Sequence, residues 1–163
     1  MENEMSVHEH WMQEAMMEAD YAALQGDVPV GAVAVCGDEI LAKGHNVREA
    51  NHDPLGHAEI VLIRRLSQEN FGWRLTDVTI YVTCEPCLMC MGALVQARVP
   101  RLVFGCYEPK TGACGSLYNF SNDKRLNHQI EVVPGVLHDA CAMQLRTFFQ
   151  AVRNGKEFGV EGH

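Results

Sequence analysis

Residues 83–90 read Thr83-Cys84-Glu85-Pro86-Cys87-Leu88-Met89-Cys90, and what they form decides the architecture around them. Ahead of them, 78–84 is rich in β-branched residues and predicts a strand. Behind them, Met91, Ala93, Leu94 and Val95 continue an apolar pattern that predicts a helix over 87–97. Pro86 suits the junction, because a first helical turn has no partner for the N–H that proline lacks. Cys87 and Cys90, three apart, then share one face of the first turn. Free N–H groups and the helix dipole favour negative charge there, so both thiols ionise readily. Their spacing lets two thiolates close on one metal. Pro100 ends the helix and 101–106 predicts a further strand, so the helical crossover makes strands 78–84 and 101–106 parallel.

Upstream stands His57-Ala58-Glu59, preceded by the loop-like Asp53-Pro54-Leu55-Gly56. Residues i and i+2 point apart on the side of a helix, so His57 and Glu59 serve one site only in front of a helix N-terminus. Two helix starts would thus face one metal, held by His57, Cys87 and Cys90. Three protein ligands leave the fourth position to water, the arrangement of a catalytic zinc, one per chain. Glu59 is then the acid–base group for that water. The rival arrangement adds Cys84 to give a closed structural site of three cysteines and one histidine, and with it a non-enzymatic, zinc-stabilised protein. Glu85-Pro86 interrupts regular structure after Cys84, and Cys84 shares strand parity with Ile80 and Val82, which favours a buried thiol instead.

His-Ala-Glu followed by Pro-Cys-x-x-Cys resembles the established signature of the zinc-dependent nucleoside and nucleobase deaminases. Val28-Pro29-Val30-Gly31-Ala32, Gly44-His45-Asn46, His52-Asp53-Pro54, Tyr81-Val82-Thr83 and Lys110-Thr111-Gly112-Ala113 are similar to the bacterial tRNA-specific adenosine deaminases of that superfamily. The likeness runs from about Trp11 to Phe149. It implies hydrolytic conversion of adenosine to inosine at the wobble position of a tRNA anticodon stem-loop. It further implies that Asn46 contacts the inserted nucleoside, that the loop at Glu108 meets the RNA backbone, and that the protein is a homodimer. An anticodon loop offers an unpaired base, which enters a closed pocket at low cost. Glu108 departs from the Asp expected of the family. Residues 150–153 are also less basic than expected. A small-molecule deaminase acting on cytosine, guanine or deoxycytidylate would use the same zinc chemistry and is the main alternative.

The composition suits one soluble domain of 163 residues, with a core over about 6–154 and a frayed tail over 155–163. Hydrophobic residues make up 47% and charged residues 21%. No apolar run is long enough for a membrane helix. The acidic N-terminus is no signal peptide, and seven cysteines with three crowded at 84–90 point to metal binding in a reducing cytoplasm. The net charge of −8 is unusual for an RNA binder. It is unevenly spread: residues 1–40 hold nine acidic and no Lys or Arg residues, and the rest is nearly balanced. Local basic surface, not the total, sets phosphate affinity.

The remaining elements follow from periodicity. Residues 6–25 predict a helix capped by Ser6 and Glu9, stopped at Gly26, with Trp11, Ala15, Met16, Ala19 and Ala22 inward and Glu14, Glu18 and Asp20 outward. Strands over 28–36 and 39–44 flank the turn signal Gly37-Asp38, the first being apolar on both faces and hence central. Pro29 at its start serves either as strand entry or as a pocket wall. Residues 57–69 predict a helix with Ile60, Val61, Ile63 and Leu66 inward and Arg64 and Arg65 solvated. Residues 107–128 form a long irregular connection, of the kind that is functional or hides a short helix, and carry Lys110, Lys124 and Arg125. A short strand over 130–133 and a helix over 138–154 with Leu145, Phe148, Phe149 and Val152 inward close the chain. His8, His10, His128, His138 and His163 have no partner pattern and are expected mainly at the surface. Met89, Met91 and Leu94 serve either core or subunit contact. The sum is a three-layer α/β/α domain with a mixed five-stranded sheet and helices on both faces.

Overall fold

The computed structural model describes residues 3–155, so most of the expected frayed tail lies outside the described residues. The elements are α1 (Glu4–Leu24), β1 (Gly31–Cys36), β2 (Glu39–His45), α2 (Ala58–Leu66), β3 (Thr79–Cys84), α3 (Leu88–Gln96), β4 (Arg101–Cys106), β5 (Glu131–Val133) and α4 (His138–Arg153). A π-helical turn, Ser67–Phe71, prolongs α2. The sheet is five-stranded and mixed, in the order β2-β1-β3-β4-β5. β1 pairs antiparallel with both β2 and β3, while β3–β4 and β4–β5 are parallel. This is the expected architecture, with the helical crossover α3 joining two parallel strands.

Alternation along the central strands divides the core into two layers. Ala32, Ala34, Ile80, Val82, Leu102 and Phe104 face the layer that α2 and α3 cover with Leu62, Leu66, Met91 and Leu94. Val33, Val35, Tyr81 and Val103 face the layer covered by α1 and α4 through Met12, Ala15 and Cys141. Strands buried on both faces read as continuous apolar runs for this reason. α1 lies close on β1: a Cβ at Gly31 would run into the backbone of Ala15 and Ala19.

Several expectations are corrected. α1 begins earlier than 6, because Asn3 is its N-cap and accepts the Ser6 N–H at 2.8 Å; Ser6 therefore donates to the cap instead of forming one with Glu9. Asn caps as well as Ser, and the earlier start adds helical hydrogen bonds. Glu18 does not face solvent. It is 8% exposed and binds His45 Nδ1 at 3.1 Å. His8 is buried as well, with Nδ1 2.8 Å from the Tyr81 hydroxyl. In α2 it is Leu62, not Ile60, Val61 or Ile63, that lies fully buried beside Leu66. In α4, Phe148 is inward, but Phe149 and Val152 are about half exposed. Met91 and Leu94 are fully buried core residues, which removes them as a subunit surface. Among the described residues no helix is long and apolar enough to cross a membrane.

Candidate active site

The site forms where two helices begin. His57 is the N-cap of α2, with extended backbone at φ −79°, ψ 150°. Cys87 is the N-cap of α3, likewise extended at φ −75°, ψ 177°. An N-cap side chain points back over the free N–H groups of its own first turn. Two such helix starts facing each other bring one imidazole and one thiol together, and Cys90 in the first turn of α3 adds the second thiol. His57 Nδ1 lies 3.6 Å from Cys87 Sγ and 3.5 Å from Cys90 Sγ. All three ligand atoms fall within 4.8 Å of one another, and Cys84 is not among them. Cys84 is instead buried beside its register partner Cys106, in the α1–α4 layer rather than with Ile80 and Val82.

The electrostatics favour metal ligation. Hydrogen bonding from Cys90, then from His57, holds the Cys87 thiol down to about 4, so it is a thiolate near neutrality. Cys90 shifts the opposite way, upward, because it donates to the Cys87 sulfur and is buried. The pair thus shares one proton that a cation would displace. His57 is raised, chiefly by its contact with Cys87. Two sulfurs and one imidazole nitrogen at this spacing suit zinc, which prefers such mixed ligands.

Glu59, one residue inside the α2 start, is 3% exposed. Burial pushes its carboxyl up to about 7, with the charge on His57 pulling against that rise. Asn46 follows β2 and is 8% exposed. Its Oδ1 accepts the Ala58 N–H at 2.9 Å, so it ties the end of β2 to the first turn of α2 beside His57. Its side-chain NH2 has no partner among the described residues, so it can donate to a base. Pro29 is buried just ahead of β1 and lines a cavity of about 360 Å³ that α1 and α4 enclose, together with Ala23, Met143 and Phe148. None of His57, Cys87 and Cys90 lines that cavity, while the Val30 carbonyl beside Pro29 accepts the Asn46 N–H at 3.1 Å.

The connection 107–128 contains no helix. It is built of turns and two isolated bridges, Cys87 to Gly112 and Cys114 to Asn119. Glu108 is half buried, and its Oε1 accepts the Lys110 N–H at 3.0 Å. Lys110 is exposed and lines a groove of about 390 Å³ with Arg146, Phe149, Val152 and Arg153 of α4. The sequence pattern does not reveal that groove, because it joins residues 110 and 146–153 and because helical spacing alone places Phe149 and Val152 inward. It also missed Glu85, a buried carboxylate with four donors. Nothing in a lone Glu at a strand end separates it from a solvated one.

Comparison with known proteins follows the same lines. The sequence profile of the MafB19-like deaminases matches residues 6–153. The chain is 44% identical over 153 residues to the tRNA-specific adenosine deaminase of Bacillus subtilis (strain 168), covering 94% of this chain and 95% of that protein. It is 43% identical over 150 residues to the tRNA-specific adenosine deaminase of Haemophilus influenzae, covering 91% and 87%. A solved structure from a study of A-to-I editing by tRNA:A34 deaminases at the wobble position of transfer RNA matches with a TM-score of 0.80 and 35% identity, covering 83% of this chain and 99% of that one.

Proposed function

The chain belongs to the MafB19-like deaminase family and, within it, to the tRNA-specific adenosine deaminases, and from that membership we propose how its own residues carry the reaction. It is a hydrolase that converts adenosine to inosine at the wobble position of a tRNA anticodon. The observation that carries the chemistry is the convergence of His57, Cys87 and Cys90 at two helix starts with Glu59 buried beside them. His57, Cys87 and Cys90 hold one zinc per chain, which when bound supplies the Lewis acidity that activates water. Glu59 moves the protons. Its carboxylate accepts one from the attacking water and delivers it to the purine ring nitrogen. It then takes the second from the hydroxyl newly formed on the ring carbon and passes it to the departing amine, so that water and adenosine leave as inosine and ammonia. A carboxyl held near 7 by burial exchanges protons in either direction at neutral pH. Asn46 donates from its free NH2 to the inserted nucleoside.

RNA is held at the loop that bridges to Cys87 through Gly112 and at the face of α4 beside Lys110. Lys110, Arg146 and Arg153 gather three positive charges at one groove with the half-exposed Phe149. Cations that contact phosphate and an aromatic face for a base are what a single-stranded loop needs. This concentration answers the net charge of −8, because the acidic excess lies in residues 1–40. Glu108 directs its carboxylate along the same loop and accepts from a ribose hydroxyl. The enzyme works as a cytoplasmic homodimer. The exposed apolar side chains Leu88, Leu117 and Tyr118 support a second copy as their cover.

The deciding experiment incubates the protein with an anticodon stem-loop bearing adenosine at the wobble position and detects inosine, with cytosine, guanine and free adenosine alongside. Inosine in the RNA is the expected result. Turnover of a free base with none in RNA would instead make the protein a small-molecule deaminase.

A further inference from the structure

We infer that Glu85 is a positioning residue: its buried carboxylate fixes where the loop bearing Glu108 and Lys110 stands relative to Cys87, and so governs how RNA is held for the reaction. The inference rests on the proposal that this loop meets RNA. Glu85 directly follows β3 and is 3% exposed. Its Oε1 accepts the Glu108 N–H at 3.0 Å and the Ser116 hydroxyl. Its Oε2 accepts the N–H groups of Cys114 and Ser116, each at 3.0 Å. One carboxylate therefore gathers both ends of the segment 108–116. Among the described residues it has no ion-pair partner. A carboxylate taken out of water without a cation needs several donors to satisfy it, and here the loop backbone provides them.

The surrounding contacts bind the same segment to the metal-ligand strand end. The Glu85 N–H donates to the Cys106 carbonyl at 2.8 Å, and the Ala113 N–H donates to the Pro86 carbonyl at 2.8 Å. Gly112 bridges to Cys87. A Cβ at Gly112 would strike the Glu85 carboxyl, so only glycine lets the loop settle onto it. From Glu85 the order passes outward: the Glu108 backbone is fixed, and its carboxylate in turn fixes the Lys110 N–H at 3.0 Å. Both Glu85 oxygens are engaged inside the protein, so Glu85 acts on RNA only through these neighbours.

Glu85→Gln keeps the shape but places an NH2 against N–H donors. The KM for the anticodon stem-loop should rise by about tenfold to a hundredfold, with kcat within about threefold and zinc content unchanged. Lys110→Ala is then added in both backgrounds. It should raise KM clearly in the parent and little in Glu85→Gln, because the lysine is already out of place there. A residue that only stabilised the fold would leave the Lys110→Ala effect intact. Should Glu85→Gln fail to fold, Ser116→Ala removes one hydroxyl donor and should show the same coupling at smaller size. An equal cost of Lys110→Ala in both backgrounds, or a loss confined to kcat and zinc, overturns the role of Glu85. A parent that forms no inosine in RNA overturns the wobble-adenosine proposal itself, and this inference with it.

Discussion

The catalytic cluster and the loop that follows β4 meet at Cys87, yet they are built differently. His57, Cys87 and Cys90 converge because two helices start with extended N-cap residues, a geometry that a few neighbouring residues determine. The loop 107–116 has no regular structure and owes its shape to Glu85, more than twenty positions upstream. The contrast teaches that the ligand cluster rests on local backbone rules while the loop, proposed above to meet RNA, rests on a single long-range anchor. If so, substitutions in the cluster should abolish turnover and spare RNA affinity, and substitutions at the loop should do the reverse.

The largest effect should come from the ligands. Cys87→Ala or Cys90→Ala should lose bound zinc and with it all measurable inosine formation, while Cys84→Ser keeps both; metal analysis and the stem-loop assay read this directly. Zinc loss in the Cys84 variant would restore the closed four-ligand site. Glu59→Ala should retain zinc and RNA affinity but turn over about 10²–10⁴-fold more slowly. Activity within tenfold of the parent would remove Glu59 from the mechanism.

Glu59 also marks the cluster in stability. Its folded pKa of about 7 lies above the ordinary 4.5, so the fold favours the protonated form. In chelator-stripped protein the Glu59 contribution, read as the stability of the parent minus that of Glu59→Gln so that the opposing Cys87 thiolate cancels, should fall as pH rises from 4.5 to 7 and level off above that. Glu59→Gln removes the penalty and should stabilise stripped protein by roughly 3 kcal/mol at pH 8, with little change at pH 4. Denaturant melts at the two pH values measure it, and equal gains at both would contradict a buried carboxyl.

At the loop the effects are smaller. Lys110→Ala and Arg146→Ala should each weaken RNA binding and lower the slope of log K against log salt by about one, with kcat retained. An unchanged slope would take the groove out of phosphate contact. Smallest of all, Glu108→Asn should shift the ratio of rates on matched RNA and DNA hairpins toward DNA by a few-fold, since a ribose hydroxyl loses its charged acceptor. An unchanged ratio would leave Glu108 a purely internal partner of Lys110.

What was legible in the sequence follows the same division. The strand–helix–strand 78–106 and both ligand sets could be placed because Pro86, Gly56 and the apolar periodicity are local signals, whereas the sheet order was not legible, because the antiparallel β1–β3 pair joins strands distant in sequence. Glu18, His8 and Glu85 were not legible, because each is buried by a partner far away in sequence: His45, Tyr81 and the 108–116 backbone. Phe149 and Val152 fit an inward helical stripe by spacing alone, and only the position of α4 beside Lys110 places them at a groove.

The anchor at Glu85 recognises backbone N–H groups, together with one hydroxyl at Ser116. It is therefore blind to most side chains it holds. Proline is barred at 108, 114 and 116, since it has no N–H to give, and position 112 must stay glycine. The exposed positions 109 and 111 carry no such restriction, whereas Gly115 sits at φ 135° and the N–H groups of 115 and 117 donate within the loop. The loop can thus drift in sequence, or be randomised in the laboratory for a different anticodon arm, without loosening its attachment to the strand that ends at the metal ligands.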